Sequence, residues 1–228
     1  MRAGSDQPLP LTQPLLATVS AKTSYVMGPP LSSSSSSSGP SYHKAVAFNV
    51  GIPLCVFAVL AAFYSSYVVM GYNWVWFSWH PSSMLVSYVA MAGNAFLIKK
   101  IGGYDNTKKH GVLMVVATVV ASFAFYVILS NKNSQKKAHF TTLHGKLGLA
   151  VVLSYLGLGL VGAVGLNPDW GYFKLNKQVR AIHKYSGRVI TLMAWACCVL
   201  GYQTMDKDVL HQAVFAIPLV VFSYYTML

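Results

Sequence analysis

The chain reads as an all-α membrane protein of six transmembrane helices. Three observations predict this. Of the 228 residues, 54% are apolar or aromatic and only 10% are charged, against roughly a quarter charged in soluble domains. The acidic residues are five Asp, with no Glu. The apolar residues fall in six continuous runs, each near the roughly 20 residues that a helix needs to cross the hydrocarbon core. Only helices and closed barrels satisfy their backbone in lipid. A barrel strand alternates apolar and polar residues, and these runs do not.

Residues 1–42 stand apart. They are rich in Ser, Pro and Thr, with seven consecutive serines at 32–38. Such a composition cannot bury a core and predicts a disordered tail, although the scarcity of acids leaves an organelle transit peptide open. No continuous apolar region precedes a small-residue cleavage site, so a secretory signal is disfavoured. The transmembrane domain is expected over 43–228.

The six helices are expected at 45–70, 76–98, 110–129, 141–166, 179–204 and 209–228. The second opens with Pro81 in its first turn, where the missing N–H costs nothing. Trp74, Trp76 and Trp79 stand where the first two helices meet one interface, as an aromatic belt does. Gly157, Gly159, Gly162 and Gly165 in the fourth helix fit close helix packing.

Net charge is +12, but the cations lie in small clusters between apolar runs, which argues against nucleic acid as a partner. They set orientation instead. With the N-terminus cytosolic, Arg2, Lys22, Lys44, Lys99, Lys100, Lys108, Lys109, Lys174, Lys177, Arg180, Lys184 and Arg188 fall inside. Lys132, Lys136, Lys137, Lys146 and Lys207 fall outside. Twelve against five predicts cytosolic N- and C-termini. Which membrane holds the chain is not legible. Cys55, Cys197 and Cys198 lie within apolar runs and suggest neither a disulfide framework nor a zinc site. There is no CxxCH, so covalent haem attachment is excluded.

The histidines carry the functional information. His80, His110, His144 and His183 each lie near the start of one helix, the second to the fifth, at intervals of 30, 34 and 39 residues. Each interval is one helix plus one loop, so consecutive histidines alternate faces. His80 and His144 therefore share the outer depth, and His110 and His183 the inner depth. Two neutral imidazoles facing each other across a bundle make a natural axial pair for haem iron, with both axial positions filled. Gly111, Gly145, Gly148 and Gly187 stand beside or one turn from these histidines and leave room for a porphyrin. His43 and His211 have no pairing logic and read as interfacial.

Three stretches carry a resemblance. Phe77-Ser78-Trp79-His80-Pro81, Lys137-Ala138-His139-Phe140-Thr141-Thr142-Leu143-His144-Gly145 and Ile182-His183-Lys184-Tyr185-Ser186-Gly187 resemble the cytochrome b561 family. The likeness is nearest to its small six-helix branch, called cytochrome b561 domain-containing protein 2, and covers roughly residues 45–225. In the third helix only Lys109-His110-Gly111 is recognisable. The resemblance implies a four-helix haem-binding core, helices 2–5, flanked by helices 1 and 6. It implies two non-covalent b haems, the outer on His80 and His144 and the inner on His110 and His183, and a possible homodimer in the lipid bilayer.

It further implies electron transfer from cytosolic ascorbate to monodehydroascorbate or ferric iron across the membrane. Lys109, Lys184 and Arg188 adjoin the inner ligands and are candidates for steering anionic ascorbate. His139 lies five residues before His144, about 500° of helix rotation, so the two would not share a face if the helix extended that far, and His139 reads as sitting at the outer rim. His139 and Lys137 are candidates for an outer substrate patch. No GxGxxG follows a strand, so the donor is a diffusible molecule or a partner. A haem-free metal-ion transporter using the histidines is the competing reading. Against it, all five Asp lie in the tail or loops. A quinol donor is the alternative within the haem reading.

Overall fold

A computed structural model describes residues 40–227. Residues 1–39, which hold most of the expected tail, and Leu228 lie outside the described residues. The described chain is all-helical: α1 (Pro40–Phe63), α2 (Trp79–Leu85), α3 (Ala92–Ile101), α4 (Tyr104–Ser134), α5 (Leu143–Leu160), α6 (Lys177–Met205) and α7 (Val209–Met227). Three short π-helical stretches extend or join these helices. Tyr64–Val68 continues α1, Val86–Met91 fuses α2 and α3 into one rod, and Val161–Gly165 ends α5. Six rods result.

Five of them are long and apolar enough to cross a membrane. The sixth, α6, has 29 residues, which at 1.5 Å per residue is about 43 Å and exceeds a hydrocarbon core of about 30 Å. Its first turn carries Lys177 and Arg180, so that end can stand in the headgroup layer while the rest of the helix spans.

In the most apolar 18-residue stretch of the rod Trp76–Ile101, 56% of the residues are buried, against 17–22% in the corresponding stretches of the other four candidate spans. This rod is therefore the centre of the bundle. It packs on α4, α4 on α5, α5 on α6, and α6 closes back on α2. These four rods form the core, with α1 and α7 packed on its flank. The contact layer is apolar: Leu54 and Ala58 of α1, Val89 and Ala92 of the central rod, Ala121, Val151 and Trp195. Large apolar side chains on the outside, such as Val119, Tyr126, Leu153 and Val220, are exposed, as lipid-facing positions should be.

Buried polar groups are mostly paired. Ser66 donates to Ser82 at 2.9 Å, Ser78 to the Ser66 carbonyl at 2.7 Å, and Ser82 to the Ser78 carbonyl. This knot fixes the first turn of α2, where His80 sits. The Trp195 indole donates to the Tyr88 carbonyl at 2.7 Å and locks α6 to the central rod.

Helix bounds agree with the sequence to within a few residues, with two differences. First, α1 opens at Pro40, inside the expected tail, because proline suits a first helical turn. Second, α4 opens at Tyr104, six residues before the expected start. Gly102 and Gly103 take φ of 79° and 87° and break the chain there. Asp105 in the first turn complements the helix dipole. His110 therefore lies in the second turn of α4 and not at its first residue.

Candidate functional site

The topology puts His80 and His144 at one end of the four-rod core and His110 and His183 at the other. The His80 and His144 ring centres are 6.2 Å apart, with planes crossed at 80°. Each Nδ1 meets a backbone carbonyl of a neighbouring helix: His80 the Ala124 oxygen at 3.0 Å, His144 the Cys197 oxygen at 3.0 Å. His110 repeats the arrangement at the other end, with the Ala95 oxygen at 2.9 Å. A carbonyl can only accept, so Nδ1 carries the proton in each case. The neutral ring then presents a lone pair at Nε2, which is the state of a metal-ligating histidine.

Two metal–imidazole bonds of about 2 Å, each with about 1 Å more to the ring centre, set two rings on one ion about 6 Å apart. The observed 6.2 Å matches. A cavity of about 320 Å³ is lined by both rings and walled by apolar groups including Phe77, Met84, Phe125, Leu149 and Val152. That is within the size range of cofactor pockets. The residues thus fit a bis-histidine haem.

Glycine makes the geometry possible at two positions. A Cβ on Gly201 would lie 2.8 Å from His144 Cε1, and one on Gly162 would lie 3.0 Å from His183 Cε1. Gly201 is one turn beyond Cys197, so its missing side chain opens the path of the His144 ring to that carbonyl. The expected porphyrin clearance at Gly111 is open space in which nothing is packed. Gly145 abuts the Phe140 backbone, Gly148 the Cys197 sulfur, and Gly187 abuts Phe96 and Leu158. Gly162, read from sequence as a helix-packing glycine, packs on an imidazole.

At the His110 end, the Phe96 ring lies 6.0 Å from His110. His183 Nδ1 is buried without a hydrogen-bond partner. Lys99 is within electrostatic reach of both His110 and His183. Lys109 and Lys184 point outward and are exposed, and the Lys184 ammonium sits 5.6 Å over the Tyr185 ring. Arg188 is half-buried and within electrostatic reach of Lys100. Sequence proximity thus singled out Lys109 and Lys184, whereas the fold brings Lys99 to the pair. Lys99 is eleven residues from His110 in sequence, and only the antiparallel return of α4 brings it close.

The loop 166–176 closes over the same end. Asp169 accepts from the Tyr104 hydroxyl and pairs with Lys108 at 2.9 Å. The Tyr104 and Lys108 hydrogen bonds hold its carboxyl below the usual carboxylate range.

At the His80 end, His139 lines the cavity with His80 and His144. It lies in a bend before α5 and not on the helix, so the rotation argument does not apply to it. Its Nε2 meets Asn133 Oδ1 at 2.8 Å, and its Nδ1 is buried without a partner. Lys132 lines the cavity, whereas Lys137 is exposed and not among the lining residues. Midway between the two pairs, the rings of Tyr88 and Tyr155 approach to 4.8 Å.

The profile of the eukaryotic cytochrome b561 family matches residues 79–207, more than half of the chain. This chain belongs to the cytochrome b561 family. Family membership implies haem b binding. The chain is 30% identical to the Bos taurus transmembrane reductase CYB561D2 over 138 residues, 55% of this chain and 60% of that protein. It is 28% identical to the Sus scrofa transmembrane ascorbate-dependent reductase CYB561 over 165 residues, 68% of this chain and 64% of that protein. Against the Mus musculus plasma membrane ascorbate-dependent reductase CYBRD1 it is 26% identical over 131 residues, 55% of this chain and 45% of that protein. The chain thus spans less than two thirds of the length of these relatives.

Proposed function

We propose that the chain is a transmembrane two-haem b cytochrome. It moves electrons from cytosolic ascorbate to monodehydroascorbate or ferric iron on the other side of the membrane. The observation that carries this reading is the facing of His80 and His144, each with Nδ1 fixed on a backbone carbonyl and Nε2 left as a ligand. His110, with its Nδ1 on the Ala95 carbonyl, and His183, whose Nδ1 has no such partner, would hold the second haem. When bound, haem would supply a one-electron couple.

The chain's own residues do the rest. The carbonyls of Ala95, Ala124 and Cys197 fix the tautomers, and Gly162 and Gly201 let the rings approach. Phe77, Phe125 and their neighbours exclude water from the His80–His144 cavity. The cytosolic face is that of His110 and His183, where Lys99, Lys100, Lys109, Arg180, Lys184 and Arg188 raise the local concentration of an anion such as ascorbate. Lys109, Lys184 and Arg188 form the approach, and Lys99 the innermost cation. On the opposite face, His139 borders the cavity as a substrate or proton-handling group and Lys137 stands outside it. Both termini are cytosolic in this arrangement, and a homodimer is compatible with it. Support for ascorbate comes from the relatives whose names describe them as ascorbate-dependent.

Stopped-flow reduction of the oxidised protein, by ascorbate and separately by a quinol, tests the donor. Fast reduction by ascorbate is expected. Reduction by the quinol alone would replace ascorbate as the donor.

A further inference from the structure

Three hard oxygen donors and an imidazole converge at the His80 end, against the wall of the cavity. The Tyr64 hydroxyl lies 3.2 Å from His211 Nδ1. His211 Nδ1 lies 2.9 Å from Asp206 Oδ2. The Tyr202 hydroxyl lies 3.0 Å from the same Asp206 oxygen. The Tyr64 and Tyr202 side chains are also within electrostatic reach of each other, which closes the ring of donors. These residues come from the π-helical end of α1, the last turn of α6, the α6–α7 loop and the first turn of α7.

We propose that Tyr64, Tyr202, Asp206 and His211 form a binding site for ferric iron as substrate, beside the His80–His144 pair. The inference rests on the electron-transfer reading above and names the residues that would receive its acceptor.

The donor chemistry selects the ion. Two phenols and a carboxylate are hard oxygen ligands, an imidazole completes an O3N set, and no thiol takes part, which favours a trivalent ion such as Fe(III) over soft Cu(I). Tyrosinate is itself an established ligand of iron in proteins. The spacing also fits. Ligands on a six-coordinate ion with bonds of about 2 Å lie about 2.8 Å apart when adjacent, and the three measured edges are 2.9, 3.0 and 3.2 Å. An ion can therefore replace the shared protons with little movement of the side chains.

The local fold prepares the site. The Asp208 N–H donates to Asp206 Oδ1 at 2.9 Å and leaves Oδ2 facing the cluster. That bond is the main reason the Asp206 carboxyl sits below the usual carboxylate range, with Tyr202 and His211 contributing. Asp208 in turn caps α7 through the Leu210 and His211 N–H groups, which sets the position of His211.

Access and coupling run in opposite directions across the cluster. The His211 side chain is 46% exposed and Asp206 12%, whereas Tyr202 is 5% exposed and lines the cavity shared by His80 and His144. Gly201, the residue before Tyr202, abuts the His144 ring. An ion entering past His211 thus stops at the wall of the cavity that His80 and His144 share.

The chemistry balances. Binding of Fe(III) releases the phenol protons of Tyr64 and Tyr202 to water, and the His211 proton moves to its exposed Nε2. One electron, supplied by ascorbate on the opposite face, reduces Fe(III) to Fe(II). Fe(II) leaves as the two phenolates take protons back from water.

Gallium(III), a redox-inert ion of the same charge and hardness, separates binding from reduction. The full-length haem-loaded protein in lipid nanodiscs is dialysed against gallium citrate, and bound metal and the tyrosinate ultraviolet difference are read together. One gallium per chain with a tyrosinate signal is expected. Tyr64→Phe and Tyr202→Phe should each weaken binding by roughly 10-fold or more, with the haem spectrum reporting the fold. Because Tyr202 stacks on Phe215 at 4.4 Å, His211→Gln serves as a third variant should Tyr202→Phe fail to fold. No gallium binding, or binding that survives these substitutions, overturns the proposal. If that happens in a protein whose haems ascorbate reduces, the electron-transfer reading stands. Gallium binding by a chain that takes up no haem would sink that reading and keep the site.

Discussion

The His80 and His144 rings face each other at 6.2 Å, and each is anchored to the carbonyl of a different neighbouring helix. The pair therefore ties the central rod, α4, α5 and α6 together through two side chains. Changing either His80 or His144 to Ala should remove one haem and leave the other, because His110 and His183 stand at the far end of the core. Pyridine haemochrome analysis of the purified variants should show the haem content halved. Loss of both haems, or of neither, would contradict independent sites.

Gly201→Ala should damage the same site without touching a ligand. The added methyl would meet His144 Cε1 at 2.8 Å and push the ring off the Cys197 carbonyl. Gly111→Ala, where a Cβ meets nothing, should be neutral or stabilising by about 1 kcal/mol through helix propensity. Electron paramagnetic resonance of the oxidised proteins should show one altered low-spin signal in the first variant and none in the second.

Trp195→Phe should loosen the junction of α6 with the central rod. It removes the indole that donates to the Tyr88 carbonyl at 2.7 Å in a buried setting. Leaving such an acceptor unsatisfied costs about 1–3 kcal/mol. Thermal loss of the haem absorbance should move to lower temperature, and an unchanged transition would contradict the role given to this bond.

Among the cations, Lys99→Met should raise the ascorbate concentration needed for half-maximal reduction several-fold more than Lys109→Met. Lys99 reaches both His110 and His183, whereas Lys109 is exposed. Salt should weaken the Lys109 contribution first, since exposed charges are screened more than partly buried ones. Equal effects of both substitutions would return the weight to simple sequence proximity.

The Asp169 carboxylate should lend the 166–176 loop an acid-sensitive order. Its folded pKa is lowered below the ordinary 3.8 by Tyr104 and Lys108. The contribution is therefore present above that ordinary value and lost as pH falls through the lower folded one. Amide protection factors in the loop, corrected for the intrinsic pH dependence of exchange, should fall at acid pH in the native chain. In Asp169→Asn protection should be low already at neutral pH and converge with the native chain at acid pH, and a variant indistinguishable from the native chain at neutral pH would contradict the anchoring role.

Much of this was legible in the sequence because a spanning helix has one fixed length. That length converted the 30-, 34- and 39-residue intervals into depths and paired His80 with His144. What intervals cannot show is lateral packing. Gly201 meets His144 across a helix interface, and nothing in Leu200-Gly201-Tyr202 marks it. His139 reads from the sequence as an outer-rim residue just before the fourth helix; positive φ at Lys136 and Phe140 marks the turn that the sequence does not show, and His139 lines the cavity. His211 read as interfacial because its partners Tyr64 and Asp206 lie on a distant helix and in a short loop. The early start of α4 was hidden by the polar residues 104–109, which look like loop until the Gly102–Gly103 break is seen as its N-terminal boundary.

The most direct test of the central claim is a reduced-minus-oxidised spectrum of the purified chain with haem and protein measured in the same sample. Two b haems per chain are expected, both bis-histidine and both reduced by ascorbate. A chain that shows no Soret band after haem supplementation, or that saturates at one haem with all four histidines present, would contradict the account.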